Sequence, residues 1–338
     1  MSVRERVLDY CARIGADPLL VQGAGGNVSW KEGGTLWIKA SGTWLADALR
    51  RDIFVAVDLA RLQSQLAAGN VEFEPVLSQP SSLRPSIETL LHALMPYPVV
   101  VHVHAVEVLA HLVRRDCAPQ LAEALDGLVR WTMVDYHKPG PELARAVQAA
   151  LREAPGAQAV LLKNHGVVIG GADTEAIDRI LRCLTARLAA TPRPRCAVAP
   201  PVRALAFFGA DAYVPAPDEL VHQLATDPAL YACLESCWAL YPDHVVFLGP
   251  RAYAFASTAA LGAALKPSDA WPALVFVRDL GAFVRPDFDH AKLVQLRCYY
   301  DVMVRQPSQA LDILDARQVG ELLNWDAEHY RMQLAQQH

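Results

Sequence analysis

The segment 98-PVVVHVHAVEVLA-110 places two histidines inside a run of valines. This short apolar run predicts a buried β-strand over residues 99–104. Because side chains alternate between the two faces of a strand, His102 and His104 are expected to point to the same side. Two imidazole nitrogens placed in this way can both reach one divalent ion at about 2.0–2.1 Å. The alternative at this point is an ordinary half-buried strand whose histidines bind nothing.

A third histidine and a carboxylate stand where they can complete a metal site. His165 follows a strand predicted over 159–163, and the next residue is a glycine that lets the backbone turn. Glu88 falls in the first turn of a helix predicted over 85–94, just before the histidine strand. We therefore predict three histidine ligands, with Glu88 as a fourth ligand or as an acid/base.

Small polar turns precede the histidine strand. The turn 23-GAGGNVS-29 is rich in glycine, and 41-SG-42 offers a second such turn. Glycine permits unusual backbone angles and leaves N–H groups exposed, and such turns bind anions. Ser86 adds a hydroxyl near the positive end of a helix dipole. Ordinary glycine turns and simple helix capping are the alternatives, but together these turns predict a phosphate or carboxylate site beside the metal.

Strands and helices alternate along the chain, which predicts an α/β layered fold. Hydrophobic residues make up 53% of the 338 residues and charged residues 20%, a balance typical of globular proteins. Four prolines in 191-TPRPRCAVAPPVR-203 predict a linker. We therefore predict a metal-binding domain over residues 1–195 and a C-terminal α/β extension over 196–338, which can pack with the first as one unit.

Hydrophobic periodicity locates the individual elements. Helices are predicted over 3–14, 58–68, 85–94, 141–151, 173–190, 218–225, 229–240, 290–304 and 316–334. Strands are predicted over 35–40, 99–104, 131–134, 159–163, 244–248 and 273–277. The stretch 275-VFVRDLGAFV-284 has a pattern of apolar and polar residues similar to that of 161-LLKNHGVVIG-170, with Leu280 in the place of His165. This similarity suggests a degenerate repeat.

Charge and composition exclude several classes of partner. The net charge is −5 and there is no basic tract, which disfavours nucleic acid. No uncharged apolar stretch reaches the ~18 residues of a membrane span, so we expect no membrane partner. The charged N-terminus argues against a signal peptide. Seven scattered cysteines without a CxxC pair indicate a reducing compartment, so we expect a cytoplasmic protein.

These motifs resemble, in order and spacing over residues 1–190, the class II aldolase/adducin family. The segments that carry the resemblance are 25-GGNVS-29, 39-KASGTW-44, 85-PSIETLLH-92, 102-HVH-104 and 164-NHG-166. The sequences of 85-PSIETLLH-92 and 241-YPDHVVFLGPR-251 resemble in particular the aldolase part of the bifunctional rhamnulose-phosphate aldolase/short-chain dehydrogenases.

The resemblance implies a fold, an assembly and roles for individual residues. The implied fold is a three-layer α/β/α sandwich around a largely antiparallel sheet, and the implied assembly is a homo-oligomer, with a tetramer suspected. The residues matching the three zinc ligands are His102, His104 and His165. Glu88 matches the catalytic acid/base. The positions matching those that hold the substrate phosphate are Asn27, Ser41, Gly42 and Ser86. A tyrosine proton donor is not placed by the motifs, and Tyr136 is only a candidate.

The implied activity is that of a metal-dependent aldehyde-lyase that cleaves a ketose 1-phosphate by retro-aldol chemistry through a metal-stabilised enediolate. Zn²⁺ is the expected metal, and Mn²⁺ or Fe²⁺ would also suit imidazole ligands. The same scaffold also resembles epimerases, dehydratases and decarboxylases of sugar phosphates or hydroxy acids. A non-catalytic, adducin-like assembly module is a further alternative.

Overall fold

The computed structural model describes residues 1–195, 201, 203–207, 210–266, 270–306 and 310–335. For convenience, residues 1–195 are called the N-terminal part and the described residues from 201 onward the C-terminal part. The N-terminal part contains seven strands: β1 Asn27–Glu32, β2 Thr35–Lys39, β3 Phe54–Asp58, β4 Val99–Val103, β5 Trp131–Val134, β6 Ala159–Leu162 and β7 Gly166–Gly171. They form one sheet in the order β3-β2-β1-β4-β7-β6-β5, in which only the β5–β6 pair is parallel.

Seven α-helices accompany this sheet: α1 Val3–Gly15, α2 Leu59–Ala67, α3 Thr89–Leu94, α4 Val106–Leu112, α5 Cys117–Leu125, α6 Pro141–Glu153 and α7 Thr174–Arg187. Helices α1, α4, α5 and α7 pack on one face of the sheet, and α2, α3 and α6 pack on the other. This is the predicted three-layer α/β/α sandwich around a largely antiparallel sheet.

The alternation of side chains in β4 decides which layer receives the histidines. Val99, Val101 and Val103 pack into the core with α1 and α7, whereas Val100 packs into the core with α2 and α3. Burying each of these valines contributes about 1.5–3 kcal/mol, which fixes the register of the strand. His102 follows the alternation of Val100 and therefore projects from the second face.

Local signals set the helix ends. Helix α1 begins with a capping box, in which the Ser2 hydroxyl accepts a hydrogen bond from the Glu5 N–H at 3.2 Å and the Glu5 carboxylate accepts one from the Ser2 N–H at 2.7 Å. The helix predicted from residue 85 begins later, at Thr89, with Glu88 as its N-cap residue. The segment before it is bent by the Ser86 hydroxyl, which accepts a hydrogen bond from the Glu88 N–H at 3.2 Å.

The C-terminal part contains five strands: β8 Leu205–Phe207, β9 Ala210–Pro215, β10 Ala254–Phe255, β11 Leu274–Val277 and β12 Gly281–Val284. Its helices are α8 Gln223–Thr226, α9 Pro228–Cys233, α10 Pro242–Leu248, α11 Thr258–Ala264, α12 His290–Met303, α13 Ala316–Leu323 and α14 Asp326–Ala335. The sheet order is β10-β11-β12-β9-β8. The predicted extension is therefore α/β, and the long helix predicted over 316–334 is two helices.

The strand predicted over 244–248 is wrong, because these residues belong to helix α10. The apolar, β-branched run HVVFL resembles a buried strand, but Pro242 occupies the first helical turn, where its fixed φ favours a helix start. The helix is buried on nearly every side, so it lacks the polar face by which a helix is recognised in a sequence.

The C-terminal sheet repeats the topology of the N-terminal one. The order β10-β11-β12-β9-β8 corresponds to β5-β6-β7-β4-β1, and in each case the first pair is parallel and the remaining pairs are antiparallel. The hairpins β6–β7 and β11–β12 both have three-residue loops with a central residue at positive φ, 53° at Asn164 and 60° at Asp279. Each central residue donates its N–H to a carbonyl near the end of a helix that precedes the hairpin in the chain. Asn164 bonds to Leu112 of α4 at 3.3 Å, and Asp279 bonds to Ala225 of α8 at 3.0 Å.

These equivalent positions confirm the repeat that the sequence suggests. Pro215 pairs with Phe283 as His102 pairs with Val168, and Leu280 occupies the hairpin position of His165. The second sheet thus has the same strand arrangement, with Pro215 and Leu280 at the positions of His102 and His165.

The two parts share an apolar core. Val106, Leu109 and Val113, from α4 and its end, pack in one cluster with Trp238 and Tyr299 of the C-terminal part. Ion pairing adds to this contact, since Arg305 Nε lies 2.8 Å from Glu107 Oε1. Within the described residues, no helix is long and apolar enough to cross a membrane.

Candidate metal centre and anion pocket

The three predicted histidine ligands converge. Strand β4 carries His102 and ends one residue before His104, and the turn between β6 and β7 carries His165. Because β4 and β7 run antiparallel side by side, the end of β4 lies next to this turn. The ring centroids are separated by 4.8, 4.9 and 5.2 Å, and all three rings are buried. One ligand nitrogen from each ring lies within 4.8 Å of the other two, so this triad could hold a metal ion.

Gly166 makes this approach possible. A Cβ atom at this position would lie 2.5 Å from the Val103 carbonyl oxygen and 3.1 Å from His104 Cδ2. A larger residue would therefore push the β4 backbone and a candidate ligand apart. The glycine next to His165 is therefore needed for space, whereas the residue with positive φ in this turn is Asn164.

The ring nitrogens are arranged as a cation requires. His102 Nδ1 lies 3.1 Å from the Val167 carbonyl, which can only accept, so the proton is on Nδ1 and Nε2 keeps its lone pair. That Nε2 lies 3.0 Å from His104 Nε2 and 3.4 Å from Glu88 Oε2. Glu88 Oε1 lies 3.4 Å from His165 Nε2. Ligands of a tetrahedral ion at about 2.0–2.1 Å are about 3.3 Å apart, so the donor set fits a divalent cation.

Burial keeps two of the candidate ligands, His102 and His165, neutral. The pKa of His102 lies well below its usual value because the ring is desolvated and His104 and His165 are close. Desolvation, followed by the proximity of His104, lowers the pKa of His165 to about 3. Neutral imidazole is the form that binds metal, so no proton needs to be removed near neutral pH.

Glu88 stands between the histidines and the predicted anion turns. Its side chain is buried, and Oε2 accepts a hydrogen bond from Asn27 Nδ2 at 2.8 Å. Asn27 therefore contacts the candidate acid/base directly, a role that the sequence did not indicate. The carboxylate is close enough to the histidines to act as a ligand or to move a proton beside them.

The residues predicted to bind a phosphate line a single cavity. Its lining includes Asn27, Ser41, Gly42 and Ser86, together with Glu88, His104 and His165. His102 lies behind this wall and is fully buried. Tyr136 is not part of the lining and packs with Trp44 and Leu323 instead.

Lys39 is a cavity residue that the sequence reasoning overlooked, although it begins the quoted segment 39-KASGTW-44. Its Nζ donates to the carbonyls of Ala24 at 3.1 Å and Thr43 at 2.6 Å, and so joins the two glycine turns. Burial, with a contribution from Arg331, lowers the pKa of Lys39 to about 7. The ammonium places a positive charge beneath the predicted anion site.

The C-terminal part also supplies cavity residues. Asp243 of α10 and Arg331 of α14 form an ion pair, with Arg331 Nη2 at 2.7 Å from Asp243 Oδ2. Burial would raise the pKa of Asp243, but the charge of Arg331 and the hydrogen bonds from Arg331 and His104 hold it well below its usual value. Asp243 lies in the quoted segment 241–251, but nothing in the sequence linked either residue to the histidines.

Helix α14 covers the anion turns. A Cβ atom on Gly42, whose φ is +78°, would lie 2.5 Å from Leu334 Cβ. The free space left in the cavity is about 20 Å³. That is room for about one water molecule, so a sugar phosphate could enter only if Arg331 or α14 moved.

The fold and this centre together define a three-layer α/β/α protein with a buried three-histidine cluster beside a cavity lined by the predicted anion turns. Residues 5–185 match the family model described as the Class II Aldolase and Adducin N-terminal domain. The match covers more than half of the chain, and the chain belongs to the class II aldolase and adducin family.

Several known proteins are similar to this chain. The uncharacterized oxidoreductase YuxG of Bacillus subtilis (strain 168) is 30% identical over 178 residues, which cover 48% of this chain and 25% of YuxG. The chain thus spans about a quarter of the length of this curated relative. The N-terminal class II aldolase domain of a conserved protein from Thermoplasma acidophilum is 28% identical, covering 55% of this chain and 92% of that one, with a TM-score of 0.47. L-fuculose-1-phosphate aldolase from Thermus thermophilus is 22% identical, with coverages of 55% and 93% and a TM-score of 0.37.

Proposed function

We propose that this protein is a metal-dependent aldehyde-lyase that cleaves a ketose 1-phosphate by retro-aldol chemistry. The observation that carries the proposal is the convergence of His102, His104 and His165, with Glu88 beside them and an anion pocket next to them. Zn²⁺ is the proposed metal, and Mn²⁺ or Fe²⁺ would suit the same ligands. The three histidines are neutral ligands, so they would leave a bound cation its full charge.

The reaction needs an electrophile and a proton carrier. When bound, a divalent cation would act as a Lewis acid on the substrate carbonyl. Glu88 would take the proton of the hydroxyl group on the far side of the scissile C–C bond. As that bond breaks, the hydroxyl carbon becomes the aldehyde, and the electron pair of the bond passes to the carbon next to the carbonyl. The same carboxyl group would then return the proton to this carbon, so that atoms and charge balance.

The anion pocket would hold the phosphate. Lys39 supplies positive charge, and Ser41 and Ser86 supply hydroxyl groups around a glycine turn whose backbone can approach an anion closely. Anchoring the phosphate fixes the reacting carbons relative to Glu88, and such orientation lowers the barrier without a further chemical group.

A second candidate keeps the metal and changes the reaction. Tyr136 lies outside the described cavity lining, so Glu88 is the acid/base best placed for catalysis within one chain. Lys39 and Arg331 would suit a carboxylate as well as a phosphate, so the second candidate is an epimerase, dehydratase or decarboxylase of a sugar phosphate or hydroxy acid. A non-catalytic, adducin-like role is less well supported, because such a module has no need of a buried set of metal-binding side chains.

Metal analysis and product identification test the proposal. The purified full chain should contain a divalent metal and should convert a ketose 1-phosphate into an aldehyde and dihydroxyacetone phosphate. The His102→Ala variant should contain no metal, and its kcat/KM should fall by at least about 10³-fold. The reason is that the Lewis acid stabilises the transition state by several kcal/mol. His111→Ala, on α4 and away from the cavity, is the matched control and should keep both.

Four results would decide against this function. A single rearranged or dehydrated product, or release of CO₂, would favour the second candidate. Wild-type protein without metal after reconstitution, or a His102→Ala variant of undiminished activity, would remove the metal centre from the mechanism.

A further inference from the structure

We propose that Asp243, in the C-terminal part, is a positioning residue that holds His104 with its Nε2 atom turned towards the metal site. The inference rests on the proposed metal centre and adds to it a residue outside the matched family domain, which ends at residue 185. Asp243 would act through His104 and would not touch the substrate.

The contact has the geometry of an outer partner of a metal ligand. His104 Nδ1 lies 3.3 Å from Asp243 Oδ2, and the two side chains are 5% and 3% exposed. A carboxylate oxygen next to a ring N–H accepts its proton, so Nδ1 carries the hydrogen and Nε2 keeps its lone pair. Metal-binding histidines commonly donate their second nitrogen to a carboxylate, which fixes the ring and raises its basicity.

The other two histidines show why this contact matters. His102 is oriented by a backbone carbonyl, that of Val167. His165 Nδ1 is buried without a hydrogen-bond partner among the described residues. Asp243 is therefore the group that supplies a charged outer contact to the triad within the part of the chain that the structure describes.

Asp243 is itself held in place. Arg331 Nη2 lies 2.7 Å from Oδ2, and Gln295 Nε2 lies 3.3 Å from the same atom. The Gln295 amide also reaches towards the Gln22 carbonyl at 3.4 Å. Contacts from α12 and α14 thus fix the carboxylate before any metal binds, so its orientation of His104 does not depend on the ion.

Gly25, in the quoted glycine turn, admits the pair. A Cβ atom on Gly25 would lie 3.0 Å from Asp243 Oδ2 and 3.1 Å from His104 Nδ1. A side chain there would wedge between the carboxylate and the ring. The turn that the sequence indicated as an anion site therefore also makes room for a contact between the two parts of the chain.

An ion pair with Arg331 alone would give Asp243 a purely structural role, and metal affinity separates the two possibilities. In the full-length protein, Asp243→Asn should bind Zn²⁺ about 10–100-fold more weakly in competition with a chromogenic chelator. The visible spectrum of bound Co²⁺ should also change, because an amide can donate to Nδ1 and leave the proton on Nε2. Asp301→Asn is the matched control: it removes another buried carboxylate paired with an arginine, Arg297 at 2.8 Å, and should leave metal affinity and spectrum unchanged.

A second pair of variants keeps the test independent of the folding of Asp243→Asn. Gly25→Ala should weaken Zn²⁺ binding by wedging the pair, whereas Gly320→Ala, which has open space around it, should not. Wild-type affinity and spectrum in Asp243→Asn would overturn the inference while leaving the metal centre intact. If Asp243→Asn does not fold, wild-type affinity in Gly25→Ala would overturn it. Failure of the wild-type protein to bind metal would instead overturn the proposed function, and the inference with it.

Discussion

Lys39 illustrates how much a single buried charge decides in this pocket. The residue ends β2, and both of its described hydrogen bonds go to backbone carbonyls, those of Ala24 and Thr43. These acceptors do not neutralise the ammonium. Desolvation therefore dominates and lowers the pKa of Lys39 to about 7. Near neutral pH the group is poised between a charged and an uncharged form.

This predicts that anion binding depends on pH. Below about pH 7 Lys39 is mainly in its charged ammonium form. Above that pH the charged fraction falls about tenfold for each further pH unit. Affinity for sulfate, whose own charge is constant in this range, should therefore fall between pH 6 and about pH 8.5 in the wild-type protein. Calorimetric titration of the full chain would measure it.

Two variants make this measurement specific. Lys39→Met should bind sulfate weakly at every pH. Lys31→Met is the control, because burial also lowers the pKa of Lys31, to about 8, while its ammonium bonds to the Met95 carbonyl away from the cavity. A wild-type affinity that stays constant with pH, or an equal loss in the two variants, would show that Lys39 does not carry the anion site.

Helix α14 packs over the same pocket. It packs over Gly42 through Leu334 and places Arg331 against Asp243, leaving free space of only about 20 Å³. Among the side chains of α14 that the structure describes, Arg331 is buried and Met332 is half-buried, so we expect detachment of this helix to require less free energy than opening the sandwich.

We expect that removing α14 exposes the metal centre. A chain ending at residue 325 should lose bound metal to excess EDTA at least about tenfold faster than the wild-type protein, because local opening would no longer be needed. The exposed-face substitution Gln333→Ala should not change the rate. Equal rates of metal loss in the truncated and full chains would mean that the metal escapes by another path.

The features that could be predicted from the sequence are those specified by residues close together in the chain. The three-histidine centre could be predicted because two ligands share one strand face and the third follows a strand end. Helix α10 could not, since a buried β-branched run has no polar face and only Pro242 marks its start. The contacts of Asp243 with His104 and Arg331 join residues far apart in the sequence, and no local pattern encodes such a pairing.

Within the described residues, the two sheets share one topology, and the cluster of His102, His104 and His165 belongs to the first. The C-terminal part packs α12 against α4, and the Asp243 carboxylate lies 3.3 Å from His104 Nδ1. The C-terminal part therefore forms a wall of the cavity beside the histidines. We propose that the linker between the two parts separates them in sequence and that they fold as one unit.

If the two parts fold as one unit, a chain cleaved between them and a chain that lacks the second part should differ in stability and metal affinity. Residues 1–195 alone would expose Val106, Leu109 and Val113, each of which contributes about 1.5–3 kcal/mol when buried. The isolated fragment should therefore aggregate or melt well below the full chain, and should bind Zn²⁺ more weakly because Asp243 is missing.

A full chain cleaved once between residues 191 and 195 keeps every one of these contacts and should elute as a single species, with one cooperative melting transition and unchanged metal affinity. Calorimetry and gel filtration distinguish the two samples. A stable, monomeric fragment with the metal affinity of the full chain would show instead that the two parts are independent domains and that the second is not needed to build the site.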